Sequence, residues 1–109
     1  MRSSEPEIEL AWQLKAAGLE FEREVTLIPD RRFRFDFWNA AAKLAVEIDG
    51  GTWVQGRHVR GTGVESDCEK QSLAAGMGIR IVRCTPKQVR AGEALEWITA
   101  ALDSGGPKV

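Results

Sequence analysis

The sequence has no apolar run of about 18 residues, the length a membrane-spanning helix needs. Its first residues, Met-Arg-Ser-Ser-Glu-Pro-Glu, contain no apolar signal region, so the expectation is a protein without membrane anchor or secretion. Cysteine is scarce. Cys68 and Cys84 match no metal-ligand spacing and are expected to be reduced thiols in a cytoplasmic protein. His58 is the one histidine, and no nucleophile motif accompanies it, which argues against serine-triad and cysteine-protease chemistry. No Walker-type loop is present. Gly50-Gly51 follows a strand-like run but opens no G-x-G-x-x-G, so no organic cofactor is indicated. An excess of positive charge is also missing, since the net charge is −1.

What is present fits one domain spanning residues 1–109, with 104–109 as a frayed tail. With 43% apolar residues the chain can bury one core. Charge is unevenly spread. Residues 1–30 carry Glu5, Glu7, Glu9, Glu20, Glu22, Glu24 and Asp30 against Arg2, Lys15 and Arg23. Residues 31–61 carry Arg31, Arg32, Arg34, Lys43, Arg57, His58 and Arg60, and their acids are Asp36, Glu47 and Asp49. A divalent ion on those three acids would leave a basic surface that attracts phosphate; the alternative is a solvated mixed-charge surface.

The element pattern is α/β. Ser3 or Ser4 caps a first helix with Glu5, Pro6 and Glu7 in its first turn, Ile8, Ala11, Leu14 and Leu10 as its apolar stripe, and Gly18 at its end. Strands are expected around 20–27, through Asp36, through Glu47 and over 79–84, with turns at Pro29-Asp30-Arg31 and from Asn39 to Ala42. The first three strands form an antiparallel meander. A helix from about Val64 to Ala75 crosses over to a parallel fourth strand. Thr85-Pro86 starts another helical stretch, and Leu95, Ile98 and Leu102 are the buried positions of a last helix. The result is a mixed four-stranded sheet flanked by helices.

Residues 35–51 carry the chemistry. Acids are unusual inside strands, yet both apolar runs here contain them. Leu44, Val46 and Ile48 alternate with Ala45, Glu47 and Asp49, which places the two acids on one face about 7 Å apart. Phe33, Phe35 and Phe37 alternate with Arg32, Arg34, Asp36 and Trp38, so Asp36 joins the polar face. Three carboxylates brought together repel unless a cation joins them, and such oxygen ligands suit Mg²⁺. The competing reading is a solvent-facing sheet on which Arg32 and Arg34 pair with Glu47 or Asp49. Glu7 shares the inward side of its helix with Ala11 and Leu14, as a metal-binding or a helix-dipole acid. Asp67, Lys70, Ala74 and Met77 form one helical stripe. Lys70 therefore leans toward the protein body, to stabilise charge on phosphate or to pair with Asp67. The loop Gly56-Arg57-His58-Val59-Arg60-Gly61-Thr62-Gly63 suits phosphate. His58 reads as general acid or base, phosphate donor or plain loop residue, and Trp53 as a base-stacking or packing residue.

These residues resemble the PD-(D/E)XK nuclease superfamily, in its very-short-patch-repair-like and small phage-encoded branch. The resemblance rests on Glu7, on Arg34-Phe35-Asp36-Phe37, and on Ala45-Val46-Glu47-Ile48-Asp49-Gly50-Gly51. It continues through Gly56-Arg57-His58 and Asp67-Cys68-Glu69-Lys70 to Gly78-Ile79-Arg80-Ile81-Val82-Arg83. It implies a restriction-endonuclease-like fold and Mg²⁺-dependent hydrolysis of DNA, with Mn²⁺ able to substitute. Asp36, Glu47 and the Ile48 backbone carbonyl would be metal ligands, and Glu7 the helix carboxylate for a second metal or its water. Asp49 stands where the superfamily usually has lysine, and Lys70 is expected to supply that charge. Asp49 is then a base toward water, and Arg32, Arg34, Trp53, Arg57, His58 and Arg60 bind DNA. The size matches Holliday junction resolvases, so branched DNA and a homodimer are expected, in a bacterial or phage-infected cytoplasm. The alternatives are a mismatch or general nicking enzyme, and a non-catalytic DNA-binding module or nuclease-complex subunit.

Overall fold

The computed structural model describes residues 4–49 and 62–104. The first helix, α1 (Glu5–Ala16), begins where Ser4, in extended backbone, accepts a hydrogen bond from the Glu7 amide at 3.3 Å. Pro6 and two acids occupy its first turn, and Lys15 its last, all favourable to the helix dipole. The chain reverses at Gly18, whose φ of 77° favours glycine. Strands β1 (Glu22–Thr26), β2 (Arg34–Asn39) and β3 (Leu44–Ile48) follow. Between β2 and β3, Asn39 Oδ1 accepts from the Ala42 amide at 2.9 Å and closes the turn expected there. Helix α2 (Thr62–Gly76) precedes β4 (Arg80–Cys84). Thr85 then opens α3 (Pro86–Arg90) with a capping box to Gln88, and α4 (Glu93–Ser104) completes the described chain.

The sheet order is β1-β2-β3-β4. The first two pairings are antiparallel and the third parallel, as the meander and crossover require. Alternate residues of β3 serve opposite clusters. Leu44 and Val46 pack with Leu10 and Leu14 of α1, Val89 of α3 and Ala94 and Ile98 of α4. Ala45 packs with Phe35, Ile28, Ile79 and Ala74 of α2. The sheet is thus covered on both sides. Burying each such large apolar side chain contributes about 1.5–3 kcal/mol before chain entropy is counted. Among the described residues no helix is long and apolar enough to cross a membrane.

Several expectations shift by one position or one face. Ile8 is exposed, and the buried stripe of α1 is Glu7, Leu10 and Leu14. In α4 the fully buried positions are Ala94 and Ile98, while Leu95 and Leu102 pack at the margin of the cluster. Met77, expected at the apolar end of the α2 stripe, is exposed because the helix ends at Gly76. The three phenylalanines do not share one face. Phe33 and Phe35 join the α2-side cluster, whereas Phe37 joins the α1 and α4 side. The irregularity coincides with Glu24, which lies between the pairs Arg23↔Phe37 and Val25↔Phe35, opposite Asp36. Its φ of 55° breaks the pleat there, at a cost of about 1–2 kcal/mol for a residue other than glycine.

Candidate functional site

The β2–β3 ladder ends at Phe37↔Val46. Beyond it the Ile48 amide has no strand carbonyl opposite. The Asp36 carboxylate takes that place, accepting from Ile48 N at 2.7 Å through Oδ2. A backbone requirement therefore draws an acid of β2 to the end of β3, beside Glu47. The charge of Asp36 reaches Glu47, but the expected three carboxylates Asp36, Glu47 and Asp49 do not form one group among the described residues.

Glu47 meets α2. Lys70 Nζ forms an ion pair with Glu47 Oε2, and the two side chains are 13% and 14% exposed. The ammonium also donates to the Arg34 carbonyl and lies 4.4 Å from the centroid of the Phe35 ring. Oε2 of Glu47 is buried, and its partner is the Lys70 ammonium, which donates to it as well as pairing with its charge. Lys70 does lean into the protein, as its place on the helix stripe predicts. Its partner is Glu47 rather than Asp67.

Burial raises the pKa of both acids above the ordinary carboxylate range. For Asp36 the Ile48 hydrogen bond and then the charges of Lys70 and Arg34 oppose the rise, while Glu24 adds to it. For Glu47 Lys70 opposes it, and Asp36 adds to it. Glu7 is buried on the inward side of α1, and its pKa is raised by desolvation, by a hydrogen bond with Glu24 and by the field of Asp36. Arg23 works against that rise, with Nη2 3.3 Å from Glu7 Oε2. Glu7 thus reaches Asp36 through its field and has Arg23 and Glu24 as direct neighbours.

Glu24 is the residue that sequence reasoning missed. It lies between Glu7 and Asp36, and Arg34 Nη1 stands 3.5 Å from its Oε1. In the sequence it looks like one more outward acid of an edge strand. Its backbone conformation carried no local signal.

Asp49 belongs to a second group. Arg83 of β4 donates to Asp49 Oδ2 at 2.6 Å and to Asp67 Oδ2 at 3.0 Å, bridging the end of β3 to α2. The Arg83 charge also reaches Glu47. The alternative pairing of Arg32 and Arg34 with Glu47 or Asp49 is not observed: Arg34 faces Glu24, and Arg32 is exposed without an ion pair among the described residues. Trp53, Arg57, His58 and Arg60 lie outside the described residues.

Among the described residues, no three His, Cys, Asp or Glu side chains stand close enough to enclose an ion. Two carboxylates and a neighbouring backbone carbonyl still fit a hard cation, because Mg²⁺ keeps several waters and needs few protein ligands. Asp36 has an oxygen not used by Ile48, Glu47 has its second oxygen beside the one that Lys70 holds, and both acids bear the cost of desolvated charge. A cation between them would offset that cost.

No family model and no curated protein matches the chain. Among solved structures, the catalytic domain of the homing endonuclease I-Bth0305I superposes with a TM-score of 0.71 at 17% identity, over 94% of this chain and 97% of that one. The two share a fold from end to end.

Proposed function

We propose that the chain is a divalent-metal-dependent DNA endonuclease of the PD-(D/E)XK kind, close to its very-short-patch-repair-like and phage-encoded branch. The observation that carries the reading is the bond from the Ile48 amide to Asp36, which brings this acid beside Glu47 and Lys70 on a sheet of this fold. The likeness to a homing endonuclease catalytic domain supports it. Asp36, Glu47 and the Ile48 carbonyl would hold Mg²⁺, or Mn²⁺ in its place, with Glu7 as the outer carboxylate. Such an ion supplies Lewis acidity and a water of lowered pKa.

The remaining roles fall to the chain's own groups. Lys70 places a positive charge beside Glu47, from where it can stabilise charge developing on the scissile phosphate. Asp49 acts as base toward the attacking water, held in place by Arg83. Arg32 and Arg34, with Trp53, Arg57, His58 and Arg60, bind the DNA backbone and a base. The substrate we favour is branched DNA cut by a homodimer, because two strands require two sites. A bacterial or phage-infected cytoplasm is the setting.

The test compares labelled four-way junction, flap, mismatch, linear duplex and single strand, each with Mg²⁺, Mn²⁺ or EDTA. Cleavage by wild type with either metal, lost in Glu47→Ala, is the expected result. A second reading, a DNA-binding module without catalysis, draws on the ion pairs that engage Lys70 and Asp49 and on the lack of a three-acid group among the described residues. Junction binding in EDTA that never becomes cleavage with either metal would establish it.

A further inference from the structure

Helix α1 has two apolar sides. Leu10 and Leu14 enter the core, and Glu7 turns inward with them. On another side Ile8 and Trp12, one turn apart, are 52% and 69% exposed, and Trp12 is the most exposed large apolar side chain among the described residues. The core does not use this ridge. Beside it lies a groove of about 440 Å³ lined by Glu5, Pro6, Ile8, Glu9, Trp12 and Arg90, where the start of α1 meets the end of α3. One patch therefore holds a protruding indole and a hollow next to it. It also holds both signs of charge. Among the described residues neither Glu5 nor Arg90 forms an ion pair, and the Glu9 carboxylate accepts from its own helix alone, from Gln13 at 2.9 Å.

We propose that this face is a two-fold interface with a second copy of the chain. In such an interface each surface meets itself, so knob must match hollow and acid must match base within one patch. Each Trp12 then enters the groove of the other copy, and each Arg90 faces the other copy's Glu5 and Glu9. A buried tryptophan ringed by charge has the make-up of an interface anchor. DNA is the poorer occupant, since Glu5 and Glu9 repel phosphate. The inference deepens the two-copy reading above and does not need the chain to cut DNA.

Sedimentation of the full-length protein tests it. Wild type is expected to be a dimer at tens of micromolar. Trp12→Glu, at a side chain the core does not use, is expected to keep its native circular dichroism spectrum and to weaken dimerisation by about tenfold or more. Arg90→Glu is expected to weaken it as well, and adding Glu9→Arg to that variant to restore it. A wild type that stays monomeric at these concentrations overturns the proposal, and so does a dimer that Trp12→Glu leaves intact. Loss of DNA binding in Trp12→Glu with no change of assembly also overturns it, in favour of a nucleic-acid contact. The cleavage assay reads separately: a dimer that cuts nothing counts against the nuclease, and a monomer that cuts counts against this interface alone.

Discussion

Asp36 Oδ2 lies 2.7 Å from the backbone nitrogen of Ile48, at the point where the β2–β3 ladder stops. One carboxylate both satisfies a strand amide and stands beside Glu47. Substitutions separate the two duties. Asp36→Asn keeps a carbonyl oxygen for Ile48 and removes the charge, so stability should change by less than about 1 kcal/mol. Metal-dependent cleavage should fall about a thousandfold or more, the loss of several kcal/mol of charge stabilisation. Asp36→Ala also leaves the amide unpaired and should cost about 1–3 kcal/mol more. Urea titration and a plasmid-nicking assay check these, and an Asn variant that cuts at the wild-type rate removes Asp36 from the site.

Lys70 and Glu47 are each mostly buried, so removing one partner strands the other. Lys70→Met should cost about 3–5 kcal/mol in EDTA. Adding Glu47→Gln to that variant should recover most of the loss. Ca²⁺ should raise the denaturation midpoint of Lys70→Met more than that of wild type, because an ion replaces the missing positive charge. Equal stability of Lys70→Met and wild type in EDTA would contradict the pair.

The pH dependence follows from the raised pKa values of Glu7, Asp36 and Glu47. Below their ordinary values of 4.5, 3.8 and 4.5, the folded and unfolded chains are both protonated, and these groups cost nothing. As pH rises above those values the unfolded chain loses protons first. The folded state then becomes less favourable until its own acids ionise. Metal-free stability should therefore carry a destabilising contribution from these groups on going from pH 4 toward neutrality, and Glu47→Gln should flatten it. Carboxyl carbon NMR should show the two site acids titrating above ordinary values in EDTA and shifted down by Mg²⁺. Titration of both at or below ordinary values without metal would count against the site.

The two cysteines should behave differently. Cys68 is exposed, whereas Cys84 is buried and its thiol is pushed up to about 11, by desolvation first and then by the fields of Asp36 and Asp49. Iodoacetamide at pH 8 should label Cys68 in the native protein and both thiols after unfolding. Mass spectrometry of the two samples distinguishes this from rapid double labelling.

Much of the fold was legible because its signals are local. Ser4, Gly18, Asn39 and Thr85 act on backbone groups within a few residues, and the alternation Leu44, Val46, Ile48 decides a strand without help from elsewhere. In α1 Leu10, Leu14 and the margin residue Ala11 keep their expected side, and Ile8 alone departs from it, since an apolar residue at the edge of a stripe is sorted only when the helix docks. Phe35 and Phe37 parted for a similar reason. A left-handed Glu24 lies opposite the residue between them, and acids rarely adopt that conformation.

The amino-acid order by itself determined the elements, their sequence along the chain and the inward turn of Glu7, because capping, periodicity and turn chemistry act over short stretches of backbone. Only the tertiary structure decided the partners of the charges: Lys70 with Glu47, Arg83 between Asp49 and Asp67, and Glu24 between Glu7 and Asp36. Each of these contacts joins separate elements. Which acid meets which base is settled when apolar faces dock, and no local pattern encodes that distance.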